Sequence, residues 1–237
     1  MTKAKMAVMF DLDGTLVDTE TIQAQAESLL LLTFNIKISP EEISRKYAGI
    51  PTEKYIVEIA ENRDSLSELM SKKNQIIREI ITRKGIVPIA GMPELVMFLL
   101  LHKIPIYIAS SSKNEWIQEC LSAVFRLDGR TTSYGEYFSA NYISGSEVVN
   151  PKPAPDIFLE AKKRMCKIHS ELMDNNTKWI VVGDSMADMN SARAANFDAL
   201  IFNVPQLDHI NDEKCMVFST PVELQEYLTK LILINNN

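Results

Sequence analysis

The chain has 237 residues and a net charge of −6, and 46% of its residues are hydrophobic. That length exceeds one average domain, and the apolar share excludes a disordered polymer. The acidic balance, with no dense Lys/Arg block, argues against a nucleic-acid binder.

The apolar run Met6-Ala7-Val8-Met9-Phe10 predicts a short buried strand, followed at once by Asp11-Leu12-Asp13-Gly14-Thr15. Thr21 to Phe34 then reads as a helix, capped by Asp18. Ser39 and Pro40 mark the start of another, since proline suits the first helical position. Thr52 to about Ala60 predicts a third, and the apolar spacing from Ser65 to Lys84 predicts a long amphipathic helix. Residues 21 to about 85 are thus all-helical, and Pro88 and Gly91 punctuate the return to a different pattern.

That pattern alternates. Pro93 to His102 reads as a helix, Ile104 to Ala109 as a strand, and Lys113 to Phe125 as a helix. Residues 126 to 139 read as a longish loop. Ala140 to Ser144 predicts a strand, Pro155 to Lys167 a helix and Lys178 to Val182 a strand. A short helix over Asp188 to Ala195, a strand over Ala199 to Phe202 and a helix over Pro221 to Leu231 complete the series. The expected fold class is α/β: a Rossmann-like, mostly parallel sheet with a small all-helical cap inserted after the first strand. The expected divisions are 1–19 for the first strand of the core, 20–88 for the cap and 89–237 for the rest of the core.

Lys72-Lys73 and Lys162-Lys163-Arg164 read as solvated helix faces. Cys120, Cys166 and Cys215 lack metal-ligand spacing, so zinc is not expected, and reduced thiols packed in helices suit a cytoplasmic compartment. His102, His169 and His209 lie away from every motif and read as surface residues. No apolar stretch is long enough to span a bilayer, and the start of the chain lacks the apolar core of a signal peptide.

Two carboxylates one residue apart at a strand end repel each other unless a cation or a shared proton lies between them. Asp11 and Asp13 therefore ask for a metal, for acid–base chemistry, or for both. In a parallel sheet the strand C-termini share one edge, which brings Ser110, Lys152 and Asp184 with Asp188 to the same place. Paired acids, a hydroxyl, a fixed cation and a further acid suit one divalent metal and one phosphate. Mg²⁺ needs few protein oxygens, and Asp11, Asp184 and the Asp13 carbonyl would suffice. Asp11 would attack phosphorus, Lys152 and Ser110 would hold phosphate oxygens, and Asp13 would move protons.

These segments resemble the four motifs of the haloacid-dehalogenase-like hydrolase superfamily. They run in order as Asp11-Leu-Asp13-Gly-Thr15, Ile108-Ala109-Ser110, Lys152-Pro153 and Gly183-Asp184-Ser185-Met-Ala-Asp188. The helical insert resembles the cap of the group that includes phosphoglycolate phosphatase and beta-phosphoglucomutase-like sugar phosphatases. The resemblance implies an aspartyl-phosphate on Asp11, acid–base work by Asp13 and Mg²⁺ held at Asp11, Asp13 and Asp184. It implies phosphate binding by Ser110, Ser111 and Lys152, with Thr15 and Asp188 supporting the site from behind. Glu20, Gln23 and Thr52 are candidates for substrate choice.

The activity expected is Mg²⁺-dependent hydrolysis of a small phosphomonoester, with a small phosphorylated metabolite as partner and neither nucleic acid nor membrane. Sugar phosphates, phosphoglycolate and nucleotide-derived monoesters all remain open. A metal-free dehalogenase would not need Asp13 and Asp184. A phosphomutase stays open as an alternative, although Gln23 stands where that group places a histidine, and Gly49-Ile50-Pro51-Thr52 lacks its arginine. A non-catalytic phospho-ligand binder is the third reading.

Overall fold

Five consecutive apolar residues form β1, Met6–Phe10, and every one of them is buried. Such a run, apolar on both faces, is what a central parallel strand requires. The computed structural model describes residues 5–47, 50, 52–61, 63–202 and 214–236. Among these residues six parallel strands make the sheet, in the order β5-β2-β1-β6-β7-β8. The others are β2 Ile106–Ser110, β5 Tyr142–Ser144, β6 Lys178–Gly183, β7 Asp198–Phe202 and β8 Cys215–Phe218. The chain builds outward from β1 on one side, then crosses to β6 on the other. Such a switch point is where open α/β sheets place their ligands.

Alternate residues of the strands face opposite layers. On one face Ala7, Met9, Tyr107, Ala109, Val181 and Ile201 pack against α8 (Asp156–Ile168) and α9 (Met186–Ala194). The helices α5 (Met92–Leu101), α6 (Asn114–Ser122), α7 (Tyr134–Phe138) and α10 (Pro221–Asn236) complete this unit. It comprises residues 1–17 and 88–237, and residues 18–87 form the second compact unit.

The second unit is helical. Asp18 caps α1 (Thr19–Leu32) by accepting from the Thr21 amide, and Ser39 accepts from the Glu42 amide at the start of α2 (Pro40–Tyr47). Ser65 and Glu68 form a capping box on α4 (Leu66–Lys84). Leu30, Leu31, Ile43, Ile56 and Leu69 make its core.

Several elements differ from the sequence reading. The helix expected over Thr52 to Ala60 is a 3₁₀ turn, Thr52–Lys54, followed by a single-turn α3, Ile56–Ile59. Ala48, Gly49, Pro51 and His209 lie outside the described residues. The expected loop over 126–139 is a hairpin of β3 (Val124–Leu127) and β4 (Arg130–Ser133), then α7. The signal for it was Asp128-Gly129: both have positive φ, as a two-residue type I′ turn requires. Its role is packing, because Tyr134 is 1% exposed and donates to the Leu16 carbonyl at 3.1 Å, while Phe138 meets Phe10 edge-on. The strand β8 was not anticipated.

Lys73 is a further correction. Far from being solvated, it is 4% exposed and pairs with buried Glu27 at 2.8 Å. Thr52 and Tyr55 each donate to the same carboxylate at 2.5 Å. Helical spacing placed Lys73 on the face of Leu69, Ile77 and Ile80, and its distant partners Glu27 and Thr52 make that tolerable. Lys73→Met should cost about 3–5 kcal/mol in urea unfolding, because it strands a buried charge. The double variant Glu27→Leu/Lys73→Met should lose less than Lys73→Met alone. A larger loss in the double variant would sink this account.

Candidate active site

Asp11 leaves β1 with its amide donating to the Val182 carbonyl of β6 at 2.9 Å, so the first acid is fixed by sheet pairing. The chain then turns tightly, with the Leu16 and Val17 amides both donating to the Leu12 carbonyl. Gly14 makes the turn possible. Its φ is +73°, and a Cβ there would lie 2.0 Å from Asp184 Oδ2. The backbone thus passes against a carboxylate that any side chain would displace. Thr15, fully buried, donates to the Asp184 Oδ1 at 2.8 Å.

Lys152 arrives on the loop after β5 and joins three strand ends. Its ammonium donates to Asp11 Oδ1 at 2.5 Å, to Asp188 Oδ1 at 2.7 Å and to the Ala109 carbonyl of β2 at 2.8 Å. The Lys152-Pro153 peptide is cis. Burial pulls the lysine down, but Asp11 and Asp188 outweigh it and hold its pKa above the usual value, so the charge persists. Burial pushes the Asp11 carboxyl well up; Lys152 opposes that, and Asp188, Asp184 and Asp13 add to it. Asp188 is held from both sides, since its Oδ2 accepts from Ser185 at 2.5 Å while Ser185 also caps α9.

Asp13 is held apart from that cluster. Ser112 donates to its Oδ2 at 2.6 Å and the Trp116 indole to its Oδ1 at 2.8 Å. Ser112 is itself set by its neighbours: Ser144 donates to its carbonyl at 2.7 Å, and its amide donates to Ser110 Oγ at 3.0 Å. The loops after β2 and β5 lie so close that a Cβ on Gly145 would fall 2.6 Å from the Ser111 carbonyl oxygen.

The acids that come together are Asp11, Asp184 and Asp188, whose ligand atoms lie within 4.8 Å of one another. The sequence-derived metal set of Asp11, Asp13 and Asp184 is therefore gathered only in part by side chains. Ser110 is buried at the end of β2, and Ser111 is exposed beside it. Glu20, Gln23 and Thr52 all belong to the helical unit. Sequence reasoning gave no role in the site to Ser112, Ser144, Ser185 or Trp116. The run Ser110-Ser111-Ser112 ahead of a helix was the available signal for the first. The Cys120 thiol, pushed far up by burial, offers no nucleophile.

An all-oxygen set of acids suits a hard divalent cation. The glycine cradle under Asp184 and the convergence of Asp11 on it fit Mg²⁺. Both Asp188 oxygens are engaged, one by Lys152 and the other by Ser185.

Known proteins share this fold and stretches of this sequence. A HAD-family hydrolase structure from Deinococcus radiodurans with bound phosphate and sodium matches 96% of this chain and 96% of that one, with a TM-score of 0.71 and 22% identity, a likeness of fold. The phosphorylated carbohydrates phosphatase of Thermotoga maritima is 26% identical over 225 residues, covering 92% of this chain and 93% of that protein. The 6-phosphogluconate phosphatase of Escherichia coli is 24% identical, covering 83% and 81%. Among the described residues no helix is long and apolar enough to cross a membrane. The family model for haloacid dehalogenase-like hydrolases matches residues 8–202, from the first strand through β7, and the chain belongs to that family.

Proposed function

We propose that the chain is a Mg²⁺-dependent phosphatase that hydrolyses a small phosphomonoester through a phosphorylated Asp11. The observation that carries this reading is the division of labour between the two acids of the first turn. Asp11 sits against a buried lysine and beside Asp184, where charge is concentrated. Asp13 sits two residues on, held among the described residues by the neutral donors Ser112 and Trp116.

In the first step an Asp11 carboxylate oxygen bonds to phosphorus as the ester P–O bond breaks, and protonated Asp13 gives its proton to the departing alkoxide. In the second step Asp13 takes a proton from water, the water oxygen bonds to phosphorus, and the Asp11–phosphorus bond breaks to release inorganic phosphate. Lys152 supplies fixed positive charge beside the attacking oxygen, and Ser110 with the amides ahead of α6 supplies donors for phosphate oxygens. Asp11 and Asp184 would hold Mg²⁺, which would supply positive charge that lessens the repulsion between an anionic nucleophile and an anionic ester. Asp188 and Ser185 keep Lys152 aimed, and Thr15 does the same for Asp184.

The relatives named for carbohydrate phosphates and 6-phosphogluconate support small sugar-derived esters as the substrate range. The test is turnover of an aryl phosphate and of a broad monoester panel, with Mg²⁺ and with EDTA. Turnover that needs Mg²⁺ and returns when it is added back is expected. Failure of the whole panel in the presence of Mg²⁺ would overturn the reading in favour of a binder.

A further inference from the structure

The last turns of α8, the first residues of β6 and β7 and the turn ahead of β7 line a cavity of about 450 Å³, within the size range of small-molecule sites. β6 carries Trp179 next to its first residue and runs to Gly183, just ahead of Asp184. The cavity therefore lies at the sheet edge opposite the reacting one. All of its lining belongs to the unit of residues 1–17 and 88–237. Trp179 and Phe197 form an aromatic wall, with Cys166, Leu172 and Met173 beside them.

Most polar groups of the lining are already committed. Lys178 pairs with Asp198 at 2.8 Å, Thr177 donates to the Leu172 carbonyl at 3.1 Å, and Asn196 accepts from the Lys214 ammonium. Asp174 accepts from the Asn176 amide at 2.9 Å. Two donors remain. Trp179 is 7% exposed, and among the described residues nothing accepts from its indole N–H. Every side-chain nitrogen sealed from solvent among those residues has a partner, so this N–H opens to the cavity that its ring lines. Lys162, half-buried, holds its ammonium 5.1 Å from the Trp179 ring centroid and 5.5 Å from that of Phe197. No carboxylate among the described residues pairs with it.

An ammonium and a buried N–H on one wall, both without an acceptor, ask for an anion. The ammonium lies over the ring that carries the N–H, so the two oxygens of one carboxylate can take both. Charge sets the limit. Lys178 balances Asp198, but Asp174 shares the lining, so the single charge of Lys162 matches a monoanion and not a phosphate dianion. We infer that this cavity binds a small monocarboxylate, its carboxylate on Lys162 and Trp179 and its apolar body against Leu172, Phe197 and Met173. Met173 is 71% exposed and unbranched, so it can fold over such a body. The site is separate from Asp11 and Lys152, and the inference stands apart from the phosphatase reading.

The test is a titration of the full chain followed by proton–nitrogen NMR. The chain has 2 tryptophans and so two indole signals, and Trp179→Phe identifies which is which. The probes are hexanoate, benzoate and 3-phenylpropionate, set against their amides and against inorganic phosphate. At least one carboxylate should shift the Trp179 signal saturably, with half-saturation at about 5 mM or below, and its amide should bind about tenfold more weakly or worse. Lys162→Gln should weaken the carboxylate by about tenfold or more, whereas Lys162→Arg, which keeps the charge over the rings, should hold it within a few-fold. No shift of the Trp179 signal by any carboxylate up to about 20 mM would overturn the inference. So would equal binding of acid and amide, an affinity that Lys162→Gln leaves unchanged, or equal losses in the two lysine variants. A Trp179 response to phosphate as strong as that to the carboxylates would overturn the match to a single charge.

Discussion

Asp11→Asn is expected to lower kcat/KM by at least ~10⁴-fold while the protein stays folded. The amide matches the carboxylate in shape but cannot form the phosphoenzyme. Lys152 keeps the Asp188 carboxylate and the Ala109 carbonyl as partners, so its charge is not stranded. Burial already works against the Asp11 charge, so neutralising it does not open the core. Circular dichroism and thermal unfolding should match the parent within a few degrees. Residual turnover within about tenfold of the parent would end the assignment of Asp11 as the nucleophile.

Asp13→Asn should cost about 10²–10⁴-fold in kcat, the usual scale of general acid–base help. The site accepts the amide without rearrangement. Its oxygen can take the Trp116 N–H, and the Ser112 hydroxyl can rotate to accept from the new NH₂. The loss therefore measures proton transfer, and it should depend on the leaving group. An alkyl phosphate needs its departing oxygen protonated, whereas a nitrophenyl phosphate does not. The penalty should be clearly larger for the alkyl ester at the first step. Equal penalties on both esters would give Asp13 a structural role instead.

Much of this site was legible because of how parallel sheets are built. Central strands are buried on both faces, so β1, β2 and β6 stand out as apolar runs, and the polar residue that ends each run lies at the ligand edge. Asp11, Ser110 and Asp184 are found in that way. Helix starts were equally plain, since Asp18, Ser39 and Ser65 each act locally as caps.

What stayed hidden depended on distant partners. Ser112 and Trp116 reach Asp13 from 99 and 103 residues away, and apart from the serine run ahead of α6 nothing local to them marks the contact. Lys73 looked like any lysine of a helix until Glu27 was placed opposite it. The β3–β4 hairpin failed for another reason: its strands are short and largely exposed, so no apolar alternation announces them. Only Asp128-Gly129 spoke for it.

The places where the helical insert leaves and rejoins the core are tied together. Val17 bridges Pro88 and the Ile89 amide donates to the Leu16 carbonyl, while the Asp18 amide donates to the Val87 carbonyl at 2.8 Å. Departure and return thus lie side by side across an isolated antiparallel bridge, and the six-stranded sheet is complete without anything that lies between them. Such a junction is a natural graft point: its ends already meet, so a different insert can be spliced there without rethreading the strands. The insert can then be exchanged while Asp11, Lys152 and Asp184, all in the other unit, stay as they are.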